Sequence, residues 1–408
     1  MTLLGVICLR SIYEKKVILW CDSVRKGGLN TFLDSVNIGC NDVEFVVWFP
    51  KAQASIFSDL TAKTKAVGIF SSRCVIGGNA FRHRVGRGLL RPLLVVVQTV
   101  ILVWYFRGEK GDPSLMVVSG GFPGSETGRS AAYAWKLITG KRCIFNVHNF
   151  AVRASLLSPL YLISERFYDW LLSFCVAKYI AVSNACGKSL SDARGIIPSK
   201  IEVILNGVGA PNVVGPECSV DACALKSIAI VGTLEERKGH SVILKSLAAI
   251  EEERWILHII GDGSPNEYQA LRKEVRRLGI EGRVLFHGYV SSPFETLDIK
   301  PHVLVVPSQE YESFGMVVVE AWYRGIPVIG SDIEGLNEVL EFQQIPEFCI
   351  ERFADSEAWS IVLKKLLNIG AEEYLGISRK VPLIARQQFG LERMCKQYRK
   401  VFFKNEHI

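Results

Sequence analysis

The stretch PSQEYESFGMVVVEAWYRGIPVIGSDIEG, from Pro307 to Gly335, says most about the fold of this chain of 408 residues. A Gly-containing turn leads into an apolar run and then into a Gly-Ile-Pro-Val-Ile segment, which predicts strand, tight loop, helix, loop and strand in that order. Two of its glutamates lie eight positions apart, Glu312 in the loop and Glu320 inside the helix. We therefore expect a binding site where the loop enters the helix.

The spacing of these carboxylates argues against paired acid/base hydrolysis. Glu320 lies nearly two turns inside the expected helix, so at about 1.5 Å per residue the groups are on the order of 10 Å or more apart. Paired-carboxylate hydrolases hold theirs roughly 5 to 10 Å apart. The spacing suits an extended ligand, with a sugar at one carboxylate, a ribose diol at the other and phosphates between them. The phosphates would meet the helix N-terminus at Ser313, Phe314 and Gly315. The alternative, a solvated helix face for Glu320, is disfavoured by its apolar neighbours.

The rest of the chain alternates short apolar runs with longer helical patterns. The runs VEFVVWF at 43–49, CIFNV at 143–147, SIAIV at 227–231 and VLVV at 303–306 predict buried parallel strands. Two successive halves of this kind predict an α/β protein with two Rossmann-like, doubly wound parallel-sheet domains that face a central cleft. The expected divisions are an N-terminal domain at 1–208, a linker at 209–225, a C-terminal domain at 226–388, and a final helix at 389–408 that packs back on the first domain.

Composition is that of a globular protein, since 49% of the residues are hydrophobic. The net charge of +7 favours anionic ligands or an anionic membrane surface, and no nucleic-acid partner is predicted. The 11 cysteines lie singly, without C-x-x-C or a Cys/His cluster, which indicates a reducing compartment and no zinc site. The apolar stretch at 6–9 is too short for a signal peptide, so a cytoplasmic location is expected.

The most hydrophobic run is LLVVVQTVILVWYF at 93–106, which is shorter than the roughly 20 residues of a membrane-spanning helix. A basic segment, FRHRVGRGLLR at 81–91, precedes it. Two interpretations stay open. The run is either a buried core helix behind a solvated basic loop, or a face that rests on an anionic membrane with its cations at the headgroups.

A second candidate site element is VGTLEERKGH, from Val231 to His240. An apolar run ends at Gly232, and Lys238 follows in the adjoining loop. A cation at such a strand end can neutralise a pyrophosphate leaving group. Taken alone, a Lys-Gly pair is typical of a solvated surface loop, but beside the Glu312 motif it indicates a phosphate site. Arg237 is a second candidate cation.

Together these residues resemble glycosyltransferase family 4, the glycosyl transferases group 1, whose retaining members have the two-domain GT-B fold. The resemblance extends over roughly 130 residues of the second half, in which the order and spacing of the motifs are right, and the combination is highly specific. It rests on Gly232, Lys238-Gly239, Gly261-Asp262-Gly263, Phe286-His287-Gly288, Pro307-Ser308, Glu312, Glu320-Ala321, Gly325 and Pro327-Val328-Ile329. The first half matches more loosely, through Gly27-Gly28, His148, Ser183 and Asn206-Gly207.

The resemblance implies a role for each matching residue. Glu320 would bind the ribose hydroxyls and Glu312 the transferred sugar, while the backbone from Ser313 through Phe314 and Gly315 to Met316 would hold the donor's sugar and phosphates. Lys238 would bind the diphosphate, and the loop at Gly288 would contact the base. From the first domain, His148 would face the sugar, and Gly28 with Gly27 would shape the loop near the diphosphate and acceptor.

One position departs from the family pattern. Thr233 stands where the family usually has Arg, so the phosphate site is short of one cation, and Arg237 is the candidate to replace it. The resemblance implies retention of anomeric configuration and a metal-independent reaction, because Lys and helix dipoles supply the charge. No cofactor is expected beyond the donor substrate, a UDP-, GDP- or similar nucleotide-sugar.

The predicted activity is therefore that of a hexosyltransferase-type enzyme acting on a glycan or polyprenyl-linked acceptor, in bacterial cell-surface polysaccharide synthesis. Peripheral contact with the inner face of an anionic membrane is part of this hypothesis. Alternatives are a catalytically silent nucleotide-binding protein of the same fold and a sugar-phosphate synthase. A dinucleotide dehydrogenase fits poorly, since Asn266 takes the place of the third Gly in G-x-G-x-x-G.

Overall fold

The computed structural model describes residues 15–23, 27–69, 81–109, 111–123, 126–153, 159–209, 225–250, 254–290, 293–296 and 301–404. The chain divides into two compact units. Unit 1 comprises Met1–Gly207 and Leu391–Ile408, and unit 2 comprises Val208–Gly390. Most of the expected linker, residues 210–224, lies outside the described residues.

Unit 1 is built on a parallel sheet of seven strands in the order β3-β2-β1-β4-β5-β6-β7. The strands are β1 (Lys15–Cys21), β2 (Val43–Pro50), β3 (Lys63–Val67), β4 (Ser114–Ser119), β5 (Cys143–Val147), β6 (Val176–Ala181) and β7 (Ile201–Val203). The central strands are continuous apolar runs because helices cover both faces of such a sheet. In β1, for example, every residue from Val17 to Cys21 is fully buried.

The helices that connect these strands are α1 (Gly28–Gly39), α2 (Phe81–Arg107), α3 (Glu126–Thr139), α4 (Pro159–Cys175) and α5 (Asn184–Arg194). The expectation of a basic loop at 81–91 is wrong, since this segment forms the first turns of α2. Arg and Leu are good helix formers, so the segment continues the helix that the apolar run begins. Among the described residues, no helix has both the length and the apolarity to cross a bilayer.

Unit 2 is built on a parallel sheet of six strands in the order β10-β9-β8-β11-β12-β13. The strands are β8 (Lys226–Val231), β9 (Trp255–Ile260), β10 (Val284–Gly288), β11 (Val303–Val306), β12 (Val328–Ser331) and β13 (Cys349–Ile350). Its helices are α6 (His240–Ala248), α7 (Pro265–Arg277), α8 (Pro293–Thr296), α9 (Met316–Trp322), α10 (Leu336–Leu340), α11 (Ser356–Leu367) and α12 (Ala371–Phe389). The prediction of two parallel-sheet α/β units is confirmed.

A last helix, α13 (Leu391–Lys404), returns the chain to unit 1. Its apolar face, with Met394, Tyr398 and Phe402, joins the core beside α1 and β2. The buried amide of Asn146 in β5 donates a hydrogen bond to the Tyr398 hydroxyl over 2.8 Å. The helix α13 is therefore part of the core of unit 1.

The strand order of each sheet reverses at one point. In unit 1 the chain runs from β1 to one edge and resumes at β4 on the other side of β1, and in unit 2 it does the same between β8 and β11. In open parallel sheets, ligands bind beyond the carboxyl ends of the strands at such a reversal. The loops that follow β8 and β11 therefore form the first place to look for a site in unit 2.

Candidate active site

Lys238 and Glu312 meet at the reversal point of unit 2. Lys238 lies in the loop after β8 and Glu312 in the loop after β11, and their side chains form an ion pair. Both side chains are mostly but not completely buried, at 17% and 18% exposure. The Ser308 hydroxyl, in the same loop as Glu312, donates a further hydrogen bond to the Glu312 carboxylate over 3.2 Å. The two candidate residues for donor binding are thus in direct contact.

Backbone contacts hold these two loops together. The Gln309 amide donates to the Arg237 carbonyl over 2.7 Å. Gly239 has a left-handed backbone, with φ of 71°, and a Cβ at this position would overlap the carbonyl oxygen of Pro307. Only glycine combines this conformation with this close approach at low cost. Gly239 therefore lets the Lys238 loop pack against the strand end that precedes Glu312.

Glycines also allow the neighbouring strand ends to lie close together. The Gly232 amide donates to the Ile260 carbonyl over 2.9 Å, and the Gly261 amide donates to the Gly288 carbonyl over 2.8 Å. A Cβ on Gly261 would overlap the Gly232 carbonyl. The ends of β8, β9 and β10 are thus joined by backbone hydrogen bonds. Because these glycines have no side chains, a flat ligand group can approach the backbone there.

We call the loop at 307–315, which carries Glu312, the glutamate loop. It ends at Gly315, which has φ of 80° and precedes the first residue of α9, Met316. The helix begins two residues later than the predicted start at Phe314, whose ring is buried against Phe389 at 5.7 Å between centroids. The first amides of a helix generally lack an intrahelical acceptor and suit an anion, although in α9 the Val318 amide already donates to the Gly315 carbonyl over 2.9 Å. Glu320 lies in the last part of α9 and is partly buried.

Arg237, the candidate to replace the cation missing at Thr233, has its positive charge paired with an acidic side chain. Its Nε donates to the Glu235 carboxylate over 2.7 Å, and its guanidinium lies over the Tyr311 ring, 5.0 Å from the centroid. The buried Thr233 hydroxyl has no hydrogen-bond partner among the described residues. The charge of Arg237 is therefore shared with Glu235, while Lys238 shares its own with Glu312.

The first-domain candidates, His148 and Gly28, lie in unit 1. His148 follows β5, its amide donates to the Ser119 carbonyl over 2.8 Å, and its ring packs on Phe32 with centroids 4.2 Å apart. Burial lowers the pKa of His148 to about 3. The imidazole is therefore neutral near pH 7 and suited to a single polar contact rather than to a charge. Gly28 is exposed and begins α1.

Two further residues contribute to the site: Ser308, identified from the sequence only as part of the Pro307-Ser308 motif and without a role, and Gly335, which was not singled out. Ser308 bonds to Glu312, and Gly335 packs on the glutamate loop, since a Cβ on it would overlap the Glu312 carbonyl and lie 2.8 Å from that of Ser313. Gly335 ends the stretch quoted at the outset and directly precedes α10, and a glycine in the loop between a strand and a helix is a signal that could have been followed. No group of three or more His, Cys, Asp or Glu residues suited to a metal occurs within the described ranges.

Comparison with known proteins agrees with this geometry. Residues 225–380 match the family described as Glycosyl transferases group 1, and residues 90–210 match Glycosyltransferase Family 4. Lipopolysaccharide 1,6-galactosyltransferase of Salmonella typhimurium is 34% identical over 158 residues, which are 38% of this chain and 42% of that protein. The chain thus aligns with less than half of the length of this relative.

Solved structures resemble the chain over nearly its full length. A glycosyltransferase from Rickettsia africae has a TM-score of 0.73 at 16% identity, with 96% of this chain and 99% of that chain covered. Anabaena HepE in complex with UDP has a TM-score of 0.67 at 17% identity, covering 95% and 99%, and HepE has also been solved with UDP-glucose. At these identities the likeness establishes the fold. With its two parallel sheets and both family matches, the chain belongs to the family 4 glycosyltransferases, the glycosyl transferases group 1, and has the GT-B fold.

Proposed function

We propose that this protein transfers a sugar from a nucleotide-diphosphate donor to a glycan or polyprenyl-linked acceptor, with retention of anomeric configuration. The observation that carries the proposal is the contact between Lys238 and Glu312 where the strand order of unit 2 reverses. A cation for phosphates and a carboxylate for sugar hydroxyls lie side by side there. The N-terminus of α9, at Met316, follows Glu312 by four residues.

The donor would replace the partners that these side chains have now. A diphosphate is a stronger partner for an ammonium group than one carboxylate, because it offers more charge and more acceptor oxygens. Lys238 would turn from Glu312 to the diphosphate, and Glu312 would then accept hydrogen bonds from the sugar. Backbone amides of Ser313 to Met316 would bind phosphate and sugar, Glu320 the ribose hydroxyls, and the loop at Gly288 the base.

In the reaction, the bond between the anomeric carbon and the diphosphate oxygen would break as the acceptor oxygen bonds to the same face of that carbon. The acceptor proton would pass to the departing diphosphate oxygen. The protein would contribute charge stabilisation and positioning, without a covalent nucleophile. Lys238 would supply the cationic charge that a metal ion supplies in other transferases, and neutral His148 would offer a hydrogen bond to the sugar.

Two findings support the choice of substrates. The structural neighbour HepE holds UDP and UDP-glucose, which favours a UDP-hexose over a GDP-sugar as the first donor to test. The Salmonella relative is named for transfer of galactose to lipopolysaccharide, which favours an acceptor of bacterial cell-surface polysaccharide synthesis. Such acceptors are assembled at the inner face of the cytoplasmic membrane, so we propose a cytoplasmic enzyme with peripheral membrane contact.

The first experiment is a screen of UDP- and GDP-sugars for slow hydrolysis and for transfer to polyprenyl-linked and free glycans. We expect turnover of one donor, undiminished by EDTA, and a product whose anomeric configuration by NMR matches that of the donor. Inversion of configuration would refute the retaining mechanism, and loss of turnover in EDTA would refute metal independence. Transfer to a sugar phosphate alone would favour the sugar-phosphate synthase alternative.

Variants of the ion pair test the site assignment. Glu312→Gln should lower kcat by roughly a hundredfold, the range found for loss of a preorganised charge contact. It should leave UDP affinity unchanged or raise it, because Lys238 loses its competing partner. Lys238→Ala should weaken UDP binding. The matched control is Lys365→Ala, which removes an exposed ion pair with Glu347 in the same unit. Donor binding without turnover in the wild type would indicate the catalytically silent alternative.

A further inference from the structure

The outward face of α2 carries an exposed apolar stripe. Leu93, Val96, Val97, Val100 and Trp104 follow the helical repeat and are between 44% and 71% exposed. The opposite face of the same helix, with Val95, Leu102 and Phe106, is buried in unit 1. A helix that is apolar on both sides normally has a partner on both. The outward face of α2 thus has the character of a contact surface.

A second stripe lies on α4, which contacts α2. Ile163, Phe167, Trp170 and Phe174 recur at the helical repeat and are all more than half exposed. The three aromatic rings form a row, with centroid distances of 5.8 Å from Phe167 to Trp170 and 5.0 Å from Trp170 to Phe174. We call the two stripes together the α2–α4 surface. Exposed apolar residues grouped in this way mark an interaction site, unlike single ones scattered over a protein.

The exposed charged side chains described on α2 and α4 are cationic. Between residues 81 and 107 the sequence has five Arg and no Asp or Glu. The acidic residues of α4, Glu165 and Asp169, turn inward and bind the buried guanidinium of Arg129, with Glu165 Oε1 3.0 Å from Arg129 Nη1. Arg107 and Arg166, by contrast, are exposed on the same two helices. The described outward side chains of α2 and α4 are thus apolar, neutral polar or cationic.

We propose that the α2–α4 surface lies on an anionic lipid bilayer, with its Trp and Phe rings at the headgroup boundary and the neighbouring Arg107 and Arg166 at lipid phosphates. Aromatic and basic side chains on one helical face are the composition of an interfacial helix. A second copy of the chain would bring like charges together and fits less well. The inference deepens the proposed function, on which it rests for the lipid-linked acceptor, by naming the surface that brings the enzyme to that lipid.

The test is flotation of the full chain with phosphatidylcholine vesicles, with and without phosphatidylglycerol. We expect binding to the anionic vesicles that weakens as salt is raised. Trp104→Ser/Trp170→Ser should reduce the partition coefficient by about tenfold, because two amphipathic rings leave the boundary. Arg166→Gln should reduce it by about fivefold, the effect of one cation near an anionic surface. The matched control is Ile361→Ser/Leu383→Ser, which changes two exposed apolar residues of unit 2.

Absence of wild-type flotation, or equal flotation of the Trp104→Ser/Trp170→Ser variant, would overturn the inference. So would a wild-type dimer in light scattering that this variant converts to a monomer, since a second copy would then be the occupant. Donor hydrolysis without lipid separates this inference from the proposed function. Hydrolysis without vesicle binding leaves the transferase proposal intact, and vesicle binding without turnover of any donor leaves the surface intact.

Discussion

His240 shows how burial governs the charge of a single side chain. It is the first residue of α6, directly after Gly239, and is only 2% exposed. Neither ring nitrogen has a hydrogen-bond partner among the described residues. Burial, and to a lesser degree the charge of Lys238, lowers the pKa of His240 to about 4. The ring is therefore neutral at pH 7, and protonating it in the folded chain is costly.

This lowered pKa predicts acid sensitivity. Because the folded pKa lies below the unfolded value of about 6.5, the unfolded chain takes up the proton first as pH falls. His240 thus favours unfolding increasingly below about pH 6.5, by about 2 kcal/mol at pH 5. The free energy of unfolding, measured in urea, should fall between pH 7.5 and pH 5 in the wild type. In the His240→Leu variant this fall should be smaller by about 2 kcal/mol. An equal loss in both proteins would contradict the lowered pKa.

The position of Glu312 depends on how the start of α10 meets the glutamate loop. Gly335 precedes α10 with φ of 84°, which side chains rarely tolerate. Its Cα faces the carbonyl groups of Glu312 and Ser313 at a distance that leaves no room for a Cβ. The short helix α10 and the glutamate loop are therefore fitted to each other through one glycine, and Leu336 packs beside Gly315 at the same junction.

Gly335→Ala should therefore impair both folding and activity. We expect a destabilisation of about 1 to 3 kcal/mol from the strained backbone conformation. The rate of sugar transfer should fall by more than the loss of folded protein explains, because the added Cβ displaces the backbone carbonyl of Glu312. The control is Gly370→Ala, where the backbone φ is −62° and an added Cβ meets nothing within 4 Å. Thermal unfolding and initial rates for both variants check this, and equal behaviour of the two would refute the role of Gly335.

Unit 1 is built from two separate segments of the chain, because α13, which follows unit 2 in sequence, belongs to the core of unit 1. Phe402 is buried, its ring 5.8 Å from that of Phe45, and its carbonyl accepts a hydrogen bond from Lys15 in β1 over 2.7 Å. Arg399 pairs with Asp42 at 2.7 Å on the rim of the same contact. The fold of unit 1 thus depends on residues that are synthesised after all of unit 2.

Phe402→Ala should destabilise unit 1 by about 3 to 5 kcal/mol, the usual cost of deleting a buried Phe side chain. Leu383→Ala, on the exposed side of α12, should change stability by less than about 0.5 kcal/mol. Urea unfolding followed by circular dichroism measures both. Similar midpoints for the two variants would show that α13 contributes little to the core.

The strands whose bounds the sequence predicted best are the fully buried ones. β5 and β11 have the bounds that their apolar runs predict, because a strand buried on both faces is almost continuously apolar; Asn146 in β5 is buried with a hydrogen bond to Tyr398. β3 gave no such signal. It reads KTKAV, lies at the edge of the sheet and is mostly exposed, so its pairing with β2 comes from the fold rather than from its own residues. One of the two interpretations of the basic segment likewise placed a loop where α2 begins, since basic residues are frequent in solvated loops.

Residue identity and spacing were enough to predict the family and the parallel α/β architecture, and they singled out Lys238, Glu312 and Glu320 as candidate donor contacts. These are local properties, recorded in apolar periodicity and in glycines at strand ends. The contact between Lys238 and Glu312, the partners of Arg237, the fit of Gly335 and the α2–α4 surface arise from chain segments far apart in sequence. Strand order and helix packing bring those segments together, and no local pattern encodes either one.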